Sequence, residues 1–482
     1  MEDCSRPIYS FHIEVRKGGI TFKPLSSKLV MGIDPWSNEG VQNYKEICEK
    51  FGLETIDPKQ LPNPTHLHRR GIIFAHRDLD NILESRKAGR PFGVLSGLMP
   101  SGQIHLGHKM VIDQARWYQE LGGDVTITVA DLEAHATRGL SLEACRKYAI
   151  EEYVTNYAGM GLNPEKTSIY FQSERPIVQK LGFTLGKKTN LSEMEAIYGF
   201  SGETTLAHVQ SPLVQAGDIV HPQMEEYGGL RPIVVPVGID QDPHIRLTRG
   251  MVSKTNWFNV NSNKSGGLTI GLSIQDNNLD VMGIQDGGGI DDKQRNKIID
   301  KVVGAIKKAG FSQISSNPKH GKIDIKDASS NDRNELRYHL LSLERDLGGL
   351  GFMQPSSTYH QFAIGMTGGK MSSSQPETTM FLNDSMKSIE KKIRSSFSGG
   401  QPTEEEHRKK GGNPDVDVAY QYLRYFFEED DKELGKIRNE YVSGEMLTGE
   451  IKELCIEKAS EWMKKHHELK DQNTHLVKEF LD

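Results

Sequence analysis

Two histidines stand three residues apart in the stretch SGLMPSGQIHLGH, residues 96–108, which also holds three glycines and a proline. The stretch follows a short apolar strand and precedes an amphipathic helix, and ligands of parallel sheets bind at such turns. Glycines let backbone amides approach a phosphate, and the positive end of the helix dipole favours an anion. His105 and His108 are therefore candidate donors to phosphate oxygens. A buried histidine without chemical function and a zinc pair are the other interpretations, and the zinc pair lacks a third ligand nearby.

A second polar stretch, GGKMSSS at residues 368–374, joins two glycines, one lysine and three hydroxyl groups. A flexible loop of this composition can bring an ammonium group and hydroxyl donors onto a polyphosphate. Serine-rich loops are common, so the stretch gains its meaning from being paired with the histidine turn earlier in the chain.

The chain has 482 residues, of which 36% are apolar and 26% are charged, with a formal net charge of −6. This length predicts roughly two to four domains. No apolar run approaches the roughly 20 residues that cross a bilayer, and the first residues lack the apolar segment of a secretory signal. The four cysteines, Cys4, Cys48, Cys145 and Cys455, are too far apart for a zinc or iron–sulfur site. We therefore expect a cytoplasmic protein without a membrane partner.

Strands such as FGVLSGL, DVTITVADLE, SIYFQS and RPIVVPVG alternate with amphipathic helices. This alternation predicts an α/β fold with a parallel sheet and crossover helices. A helix is expected over residues 80–88, with Asp78 or Asp80 as its N-cap. In DPHIRLTRGMV, Asp242 is expected to cap the helix and Pro243 to open it.

Residues 260–350 interrupt this pattern with a glycine-rich segment that carries hairpin signals, followed by the helix DDKQRNKIIDKVVGAIKKAG. We interpret them as an inserted small α/β module without a chemical motif. The apolar residues of the helix share one face, and they are Ile298, Ile299, Val302, Val303 and Ile306. After Gly399 the strand signal fades, and amphipathic helices predict an all-helical C-terminal domain.

The two polar stretches resemble the HIGH and KMSKS signatures of class I aminoacyl-tRNA synthetases, and here they read HLGH at 105–108 and KMSSS at 370–374. VPVGIDQDPHIRLTRG at 235–250 is similar to the GxDQ segment of the tryptophan-specific family and to the helix that follows it. Further similarity to the archaeal and eukaryotic branch lies in DPW at 34–36, RRGIIFAHRD at 69–78, and residues 398–434 and 443–453. The resemblance covers nearly the whole chain except its first residues and the insertion.

The resemblance implies a Rossmann-type catalytic domain, a helical anticodon-binding domain and a homodimer. The chain is accordingly divided into an N-terminal extension packing on the catalytic domain (1–90), the catalytic domain in two parts (91–259 and 351–395), the inserted module (260–350) and the helical domain (396–482). The implied reaction activates L-tryptophan with ATP and then transfers it to tRNA(Trp). A tyrosine-specific enzyme and a non-catalytic tRNA-binding paralogue are the alternatives, and such paralogues usually lose the two ATP motifs that are present here.

The resemblance also assigns site residues by position. The implied catalytic residues are His105, His108, Lys370, Ser372, Ser373 and Ser374. The implied ATP-binding positions are Gly97, Pro100, Gly102, Gly107, Gly238, Asp240 and Met371. The implied tryptophan-binding positions are Glu133, Gln215, Asp218 and Gln241. ATP is expected to arrive with Mg²⁺, and no protein-bound metal is expected.

In this assignment the imidazoles hold the ATP phosphates, and the lysine and the serines stabilise the leaving pyrophosphate. The tryptophan carboxylate is ionised at pH 7, so its attack on the α-phosphorus needs no general base. Positioning and electrostatic stabilisation should then supply most of the catalysis.

Two places depart from the family pattern. Ser373 replaces the second lysine of KMSKS, which leaves one lysine in this loop. The positions that bind the indole N–H in the eukaryotic branch line up with Leu95 and Thr128, and neither is a clear match. Asp218 stands where the bacterial branch has an aspartate, so we expect its carboxylate to accept the indole N–H. The alternative is that Asp218 caps a helix or pairs with a basic residue.

Overall fold

The computed structural model describes residues 11–16, 19–24, 44–263, 265–273, 292–373 and 375–481. Cys4, the DPW segment, Ser374 and most of the predicted glycine-rich hairpin lie outside these residues. Within the described part, no helix combines the length and the apolar character that crossing a bilayer requires.

The strands of the described residues are β1 (Phe11–Arg16), β2 (Gly19–Pro24), β3 (Glu54–Thr55), β4 (Ile73–Arg77), β5 (Gly93–Leu98), β6 (Asp124–Val129), β7 (Thr167–Phe171), β8 (Ile233–Gly238), β9 (Phe258–Ser262), β10 (Leu268–Leu272), β11 (Ile314–Asn317), β12 (Lys322–Ile325) and β13 (Ser356–His360). The helices are α1 (Tyr44–Phe51), α2 (His66–Arg69), α3 (Leu79–Lys87), α4 (Leu106–Glu120), α5 (Asp131–Arg138), α6 (Leu142–Tyr148), α7 (Thr155–Gly159), α8 (Pro176–Gly186), α9 (Leu191–Tyr198), α10 (Leu206–Val220), α11 (Asp242–Thr255), α12 (Asp292–Lys308), α13 (Arg333–Asp346), α14 (Met386–Arg394), α15 (Glu404–Lys410), α16 (Val418–Tyr422), α17 (Asp431–Ser443), α18 (Thr448–Gln472) and α19 (Val477–Phe480).

One seven-stranded sheet forms the centre of the molecule, in the order β3-β4-β13-β8-β5-β6-β7. The strands from β13 to β7 run parallel. Their spatial order β7-β6-β5-β8-β13 is 3-2-1-4-5 in chain order, as in one half of a doubly wound sheet. The predicted α/β fold with a Rossmann-type sheet is confirmed.

Two antiparallel strands extend one edge of this sheet. β4 pairs with β13, and β3 pairs with β4. Both strands come from the segment assigned to the N-terminal extension, so strand pairing places β3 and β4 in the central sheet itself. The other domain boundaries stay predictions.

Two helix starts differ from the prediction. α3 begins after Asp78, but this residue has a left-handed backbone (φ 48°) and its side chain makes no cap hydrogen bond. Its carboxylate binds Arg249 at 2.6 Å instead. α11 begins at Asp242 itself, one residue earlier than expected, and the Asp242 carboxylate binds Arg77 at 2.9 Å. In both cases a guanidinium from a distant element offers a stronger, charge-assisted partner than the local N–H groups.

The insertion folds around a core of its own. Its antiparallel sheet has the order β11-β12-β10-β9, and α12 and α13 pack against it. The predicted apolar face of α12 is confirmed, since Ile299, Val302 and Ile306 are buried there. The chain enters and leaves the module side by side, because Asn256 and Phe352 exchange two hydrogen bonds of 2.7 and 3.1 Å.

The buried carboxylate of Glu344 holds this junction together. It accepts N–H bonds from Trp257 (2.8 Å) and Phe258 (3.3 Å) on the entering segment, and from Gly351 (3.0 Å) on the leaving segment. Burial raises the pKa of Glu344 to about 7, although these bonds act in the opposite direction. The module is therefore anchored where both chain segments meet.

The C-terminal helices share their core with the catalytic sheet. The longest of them, α18, buries Ile451, Cys455, Ala459 and Met463, which are four residues apart and so lie on one face of the helix. These residues belong to the same apolar cluster as residues of β5 and α4. The helical region is thus fixed against the elements that flank the histidine turn.

Because Asn256 and Phe352 are adjacent, the segments that enter and leave the module lie close together, and a short Gly/Ser linker can replace residues 262–348. We expect the shortened protein to fold and to form adenylate from tryptophan at close to the wild-type rate, measured as ATP–pyrophosphate exchange. Circular dichroism is the folding control. Abolished activation in a protein that remains folded would show that the module takes part in the reaction.

Candidate active site

A cavity of about 320 Å³ opens at the carboxyl ends of β5 and β8. The strand order reverses at β5, since β6 lies on one side of it and β8 on the other. Ligands of open α/β sheets bind at such a point. The predicted site residues that line the cavity are Gly97, Glu133, Gln215, Asp218, Gly238, Gln241 and Lys370.

His105 and His108 cap α4 with their side chains. His105 Nδ1 accepts the N–H of Gly107 at 3.1 Å, and His108 Nδ1 accepts the N–H of His105 at 3.2 Å. A ring nitrogen that accepts carries no proton, so each neutral imidazole has its proton on Nε2. Burial lowers the pKa of both rings, that of His108 to about 4, so both are neutral at pH 7. Each ring therefore keeps one Nε2–H donor.

These cap bonds argue against the zinc interpretation. Both Nδ1 atoms accept N–H groups and both Nε2 atoms carry a proton, so neither ring has a free nitrogen for a metal ion. Across the described part of the chain, no group of three His, Cys, Asp or Glu side chains is placed to hold a metal ion. The geometry at the start of α4 favours an anion instead, since donors converge there at the positive end of a helix dipole.

Two glycines allow close approaches in the facing loops. A Cβ on Gly107 would lie 2.8 Å from the His105 ring, so a side chain there would displace the imidazole. A Cβ on Gly102 would lie 3.2 Å from Cβ of Ser373. The histidine turn and the KMSSS loop therefore touch, although they are far apart in the sequence.

Lys370 connects the KMSSS loop to the cavity. Its ammonium group lies 3.2 Å from the Asp240 carboxylate and 4.3 Å from the centre of the Phe362 ring. The Thr379 hydroxyl donates to the carbonyl of Ser372 at 2.7 Å and so fixes the loop behind the lysine. A carboxylate and an aromatic face together hold the cation beside β8.

The remaining predicted positions lie outside the wall of the cavity. They are His105, His108, Pro100, Gly102, Gly107, Asp240, Met371, Ser372 and Ser373. Pro100 and Met371 are buried, and Ser374 is outside the described residues. The cavity thus gathers the predicted tryptophan-binding residues, and the predicted phosphate-binding loops lie next to it.

Asp218 is fully buried and lines the cavity. Its Oδ1 accepts hydrogen bonds from Thr128 (3.1 Å) and from the Tyr170 hydroxyl (2.5 Å), and its Oδ2 accepts one from the Gln172 amide (2.5 Å). Burial raises its pKa to about 7, although these bonds oppose the shift. Asp218 lies within α10 rather than at its start, and these donors are neutral, which contradicts the helix-cap and basic-partner alternatives. A carboxylate oxygen accepts about two bonds, so Oδ2 has room for another donor.

Sequence reasoning did not single out Tyr170 and Gln172. They are two residues apart at the end of β7, and this period-2 spacing sends both side chains to one face of the strand. Their partner Asp218 is 46 and 48 residues away in the chain, so local spacing gives no sign of the contact. His244 was also missed; it lines the cavity and is 2.9 Å from the Tyr198 hydroxyl.

The Rossmann-type sheet, the imidazole-capped helix and the lysine–serine loop beside it are the features that the resemblance to class I aminoacyl-tRNA synthetases implies. The model of the family described as tRNA synthetases class I (W and Y) matches residues 87–276 and 336–464 of this chain. The chain belongs to this family, and the two matched ranges leave out the middle of the inserted module.

Individual relatives show which members of this family the chain resembles. The chain is 40% identical over 453 residues to the tryptophan–tRNA ligase of Methanosarcina acetivorans, which covers 93% of this chain and 97% of the relative. It is 36% identical to the tryptophan–tRNA ligase of Methanocaldococcus jannaschii, over 94% of this chain and 99% of the relative. The crystal structure of tryptophanyl-tRNA synthetase from Aeropyrum pernix K1 matches with a TM-score of 0.68 at 31% identity, over 92% of this chain and 97% of that one. The family recognised from the sequence is confirmed.

Asp218→Asn should change how stability depends on pH. The carboxyl keeps its proton up to about pH 7 in the folded protein but only to its ordinary value of 3.8 when unfolded. The native state therefore holds the extra proton between these values, and its stability falls as the pH rises through this window. Asparagine does not titrate, so the variant should gain in Tm relative to wild type as the pH is raised, measured by thermal unfolding.

The exposed Asp300→Asn variant is the control and should show no such relative gain. Parallel Tm curves for Asp218→Asn and wild type would contradict a raised carboxyl pKa.

The same position tests ligand binding. Asp218→Asn can still accept a hydrogen bond through its amide carbonyl and should lose little affinity for tryptophan, whereas Asp218→Ala should raise the KM for tryptophan strongly. The Asp218→Ala variant should also narrow the preference for tryptophan over N-methylated indole analogues, because the predicted acceptor of the indole N–H is gone.

Proposed function

We propose that this chain is a tryptophan–tRNA ligase, which activates L-tryptophan with ATP to tryptophanyl-adenylate and pyrophosphate, then transfers tryptophan to the 3′ end of tRNA(Trp). This activity was predicted from the sequence, and it is confirmed by curated relatives that carry this name at 36–40% identity. The observation that carries the proposal is the meeting of HLGH and KMSSS beside a cavity with a buried carboxylate.

In the proposed complex, Glu133, Gln215 and Gln241 hold the ammonium end of tryptophan, because they supply one carboxylate and two amide groups to the cavity. Asp218 accepts the indole N–H on its Oδ2. Phenylalanine has no indole N–H and would leave Oδ2 with the Gln172 bond alone. A site built to bond a donor of its substrate rejects an analogue without that donor by roughly 10⁴–10⁵. The polar cluster around Asp218 therefore sets the amino-acid specificity in this proposal.

The activation step forms a bond between a tryptophan carboxylate oxygen and the α-phosphorus, and it breaks the bond to pyrophosphate. Negative charge grows on the phosphate oxygens as this happens. The Nε2–H groups of His105 and His108 donate to those oxygens, and Lys370 exchanges Asp240 for the leaving pyrophosphate. Donors that are already in place act without reorganisation during the reaction. Mg²⁺ enters with ATP as its phosphate complex.

In the second step the adenylate passes its tryptophan to the terminal adenosine of the tRNA, while the helical residues 396–482 bind the anticodon. The reaction belongs in the cytoplasm, where charged tRNA is used. Cys48, Cys145 and Cys455 are free thiols, which suits a reducing compartment.

A homodimer is proposed to form through α8 and α10. Both helices carry large apolar side chains toward solvent, since Phe183 is 77% exposed and Leu206 is 85% exposed. The helices themselves pack closely: a Cβ on Gly182 would lie 2.6 Å from the carbonyl oxygen of Leu213. Apolar side chains exposed on a rigid helix pair suit a second copy of the same chain.

The double variant Phe183→Glu, Leu206→Glu should be monomeric in size-exclusion chromatography with light scattering, because it places charge in the proposed interface. Val442→Glu is the matched control, since Val442 is 48% exposed on α17. A double variant that still elutes as a dimer would remove this face from the proposal.

The two phosphate motifs give the sharpest test of the activity. His105→Ala, His108→Ala and Lys370→Ala should each slow adenylate formation by about 10²–10³-fold while weakening tryptophan binding little, because these donors face charge that develops in the transition state. ATP–pyrophosphate exchange measures the first effect, and equilibrium dialysis with labelled tryptophan measures the second. Lys391→Ala, at an exposed position of α14, is the matched control.

Exchange should be run with all twenty amino acids. Stimulation by tryptophan alone is expected, stimulation by tyrosine would support the tyrosine-specific alternative, and none at all would support a non-catalytic paralogue. Near-wild-type exchange in all three variants would contradict the assigned phosphate roles.

A further inference from the structure

Three arginines lie near one carboxylate at the junction of the inserted module and the central sheet, and one of them binds it. Arg249 of α11 binds Asp78 through Nη2 at 2.6 Å and also donates to the carbonyl of Pro355 at 2.7 Å. Arg333 and Arg337 of α13 lie close enough to act electrostatically on the same Asp78. The cluster therefore holds three guanidinium groups against a single carboxylate.

The guanidinium groups are crowded and incompletely paired. Arg333 Nε is buried without a hydrogen-bond partner. Burial, and then repulsion from Arg333, lowers the pKa of the Arg337 guanidinium. Arginine stays protonated at neutral pH even so. Like charges held together in a half-buried place call for a counter-charge.

Three carboxylates near the start of α13 make their hydrogen bonds with groups other than the three arginines. Glu84 accepts from the Asn334 amide at 3.1 Å, and Glu335 pairs with Arg90. Asp332 accepts the N–H of Ser329 at 2.8 Å. These bonds hold the start of α13 against α3, so the arginines are presented by rigid elements. Arg333 is also the first residue of α13, where the helix dipole favours an anion.

The cluster is separate from the cavity described above. Asp78 follows the last residue of β4, Arg77, which pairs with Ser357 near the start of β13. The cluster therefore lies at the amino-terminal edge of the parallel strands, whereas the cavity opens at their carboxyl ends.

We propose that Arg249, Arg333 and Arg337 form a binding site for a phosphate group. The planar guanidinium fork matches phosphate oxygens with paired hydrogen bonds, and the negative charge of a phosphate would offset the excess of guanidinium charge over Asp78. The phosphate is either a free small ion or a backbone phosphate of bound tRNA. The second source rests on the proposed function, and the first does not.

The test compares full-length wild type with Arg333→Gln, Arg337→Gln. The matched control is Lys301→Gln, Lys308→Gln, which removes the same charge from exposed positions on α12 of the same module. In the first arm, inorganic phosphate is titrated at low ionic strength by calorimetry. Wild type and control should bind, and the arginine variant should lose about tenfold or more in affinity, because it lacks two charge-assisted donors.

In the second arm, tRNA affinity is measured from low to high salt. If the phosphate belongs to tRNA, the slope of log K against log salt should fall by about 1 in the arginine variant and less in the control. If only the arginine variant loses phosphate affinity in the first arm or salt dependence in the second, the result supports the site. The arm in which the loss occurs identifies the source of the phosphate. Equal behaviour of the arginine variant and the control in both arms overturns it.

Two further measurements keep the result interpretable. Tryptophan-dependent pyrophosphate exchange should be unchanged in the arginine variant, so failure of exchange in wild type counts against the proposed function and not against this site. If Arg333→Gln, Arg337→Gln does not fold, Arg333→Lys, Arg337→Lys keeps the charge but loses the fork. That variant should still show weakened phosphate binding, and wild-type affinity there would overturn the proposal.

Discussion

Hydrogen bonds from the first N–H groups of α4 to two imidazoles are the constraint on which this site depends. They fix the proton of His105 and His108 on Nε2, and burial keeps both rings neutral. A backbone requirement of the helix thus decides which ring atom is left to donate. The same geometry explains Gly107, since any side chain there would displace the first imidazole. β5 leads into this turn and the KMSSS loop touches it, so both lie next to the start of α4.

The second constraint is the buried carboxyl group of Asp218, whose charge is unfavourable at the wall of the cavity. Asp218 is surrounded by three neutral donors and no cation, so its ionised form is disfavoured by burial and only partly compensated. A carboxylate in this condition gains from one more donor in the cavity. In the proposed complex, the indole N–H of tryptophan supplies that donor.

The two additions to the catalytic sheet are attached in different ways. The helical region continues the core of the sheet, so it cannot be separated from the elements that carry the histidine turn. The inserted module has its own core. It is joined through backbone hydrogen bonds to Glu344, through the hydrogen bond from Asn334 to Glu84 on α3 and through the ion pair of Glu335 with Arg90. Packing therefore couples the first addition to the site, whereas the second is held by polar contacts at its base.

The sequence by itself determined the parallel sheet, the helix that follows the glycine turn, the apolar face of α12 and the two phosphate motifs, because each is written in local periodicity or in a short run of residue types. It did not determine the partners of the buried charges. Asp78 and Asp242 were expected to cap helices. Instead, Asp78 binds Arg249, which is 171 residues away in the sequence, and Asp242 binds Arg77, which is 165 residues away. Tyr170 likewise belongs to the site through its hydrogen bond to Asp218, which is 48 residues away in the sequence. The tertiary structure decided these pairings, because a charged or polar side chain takes the strongest partner that folding brings within reach, and sequence spacing does not reveal which distant elements will meet.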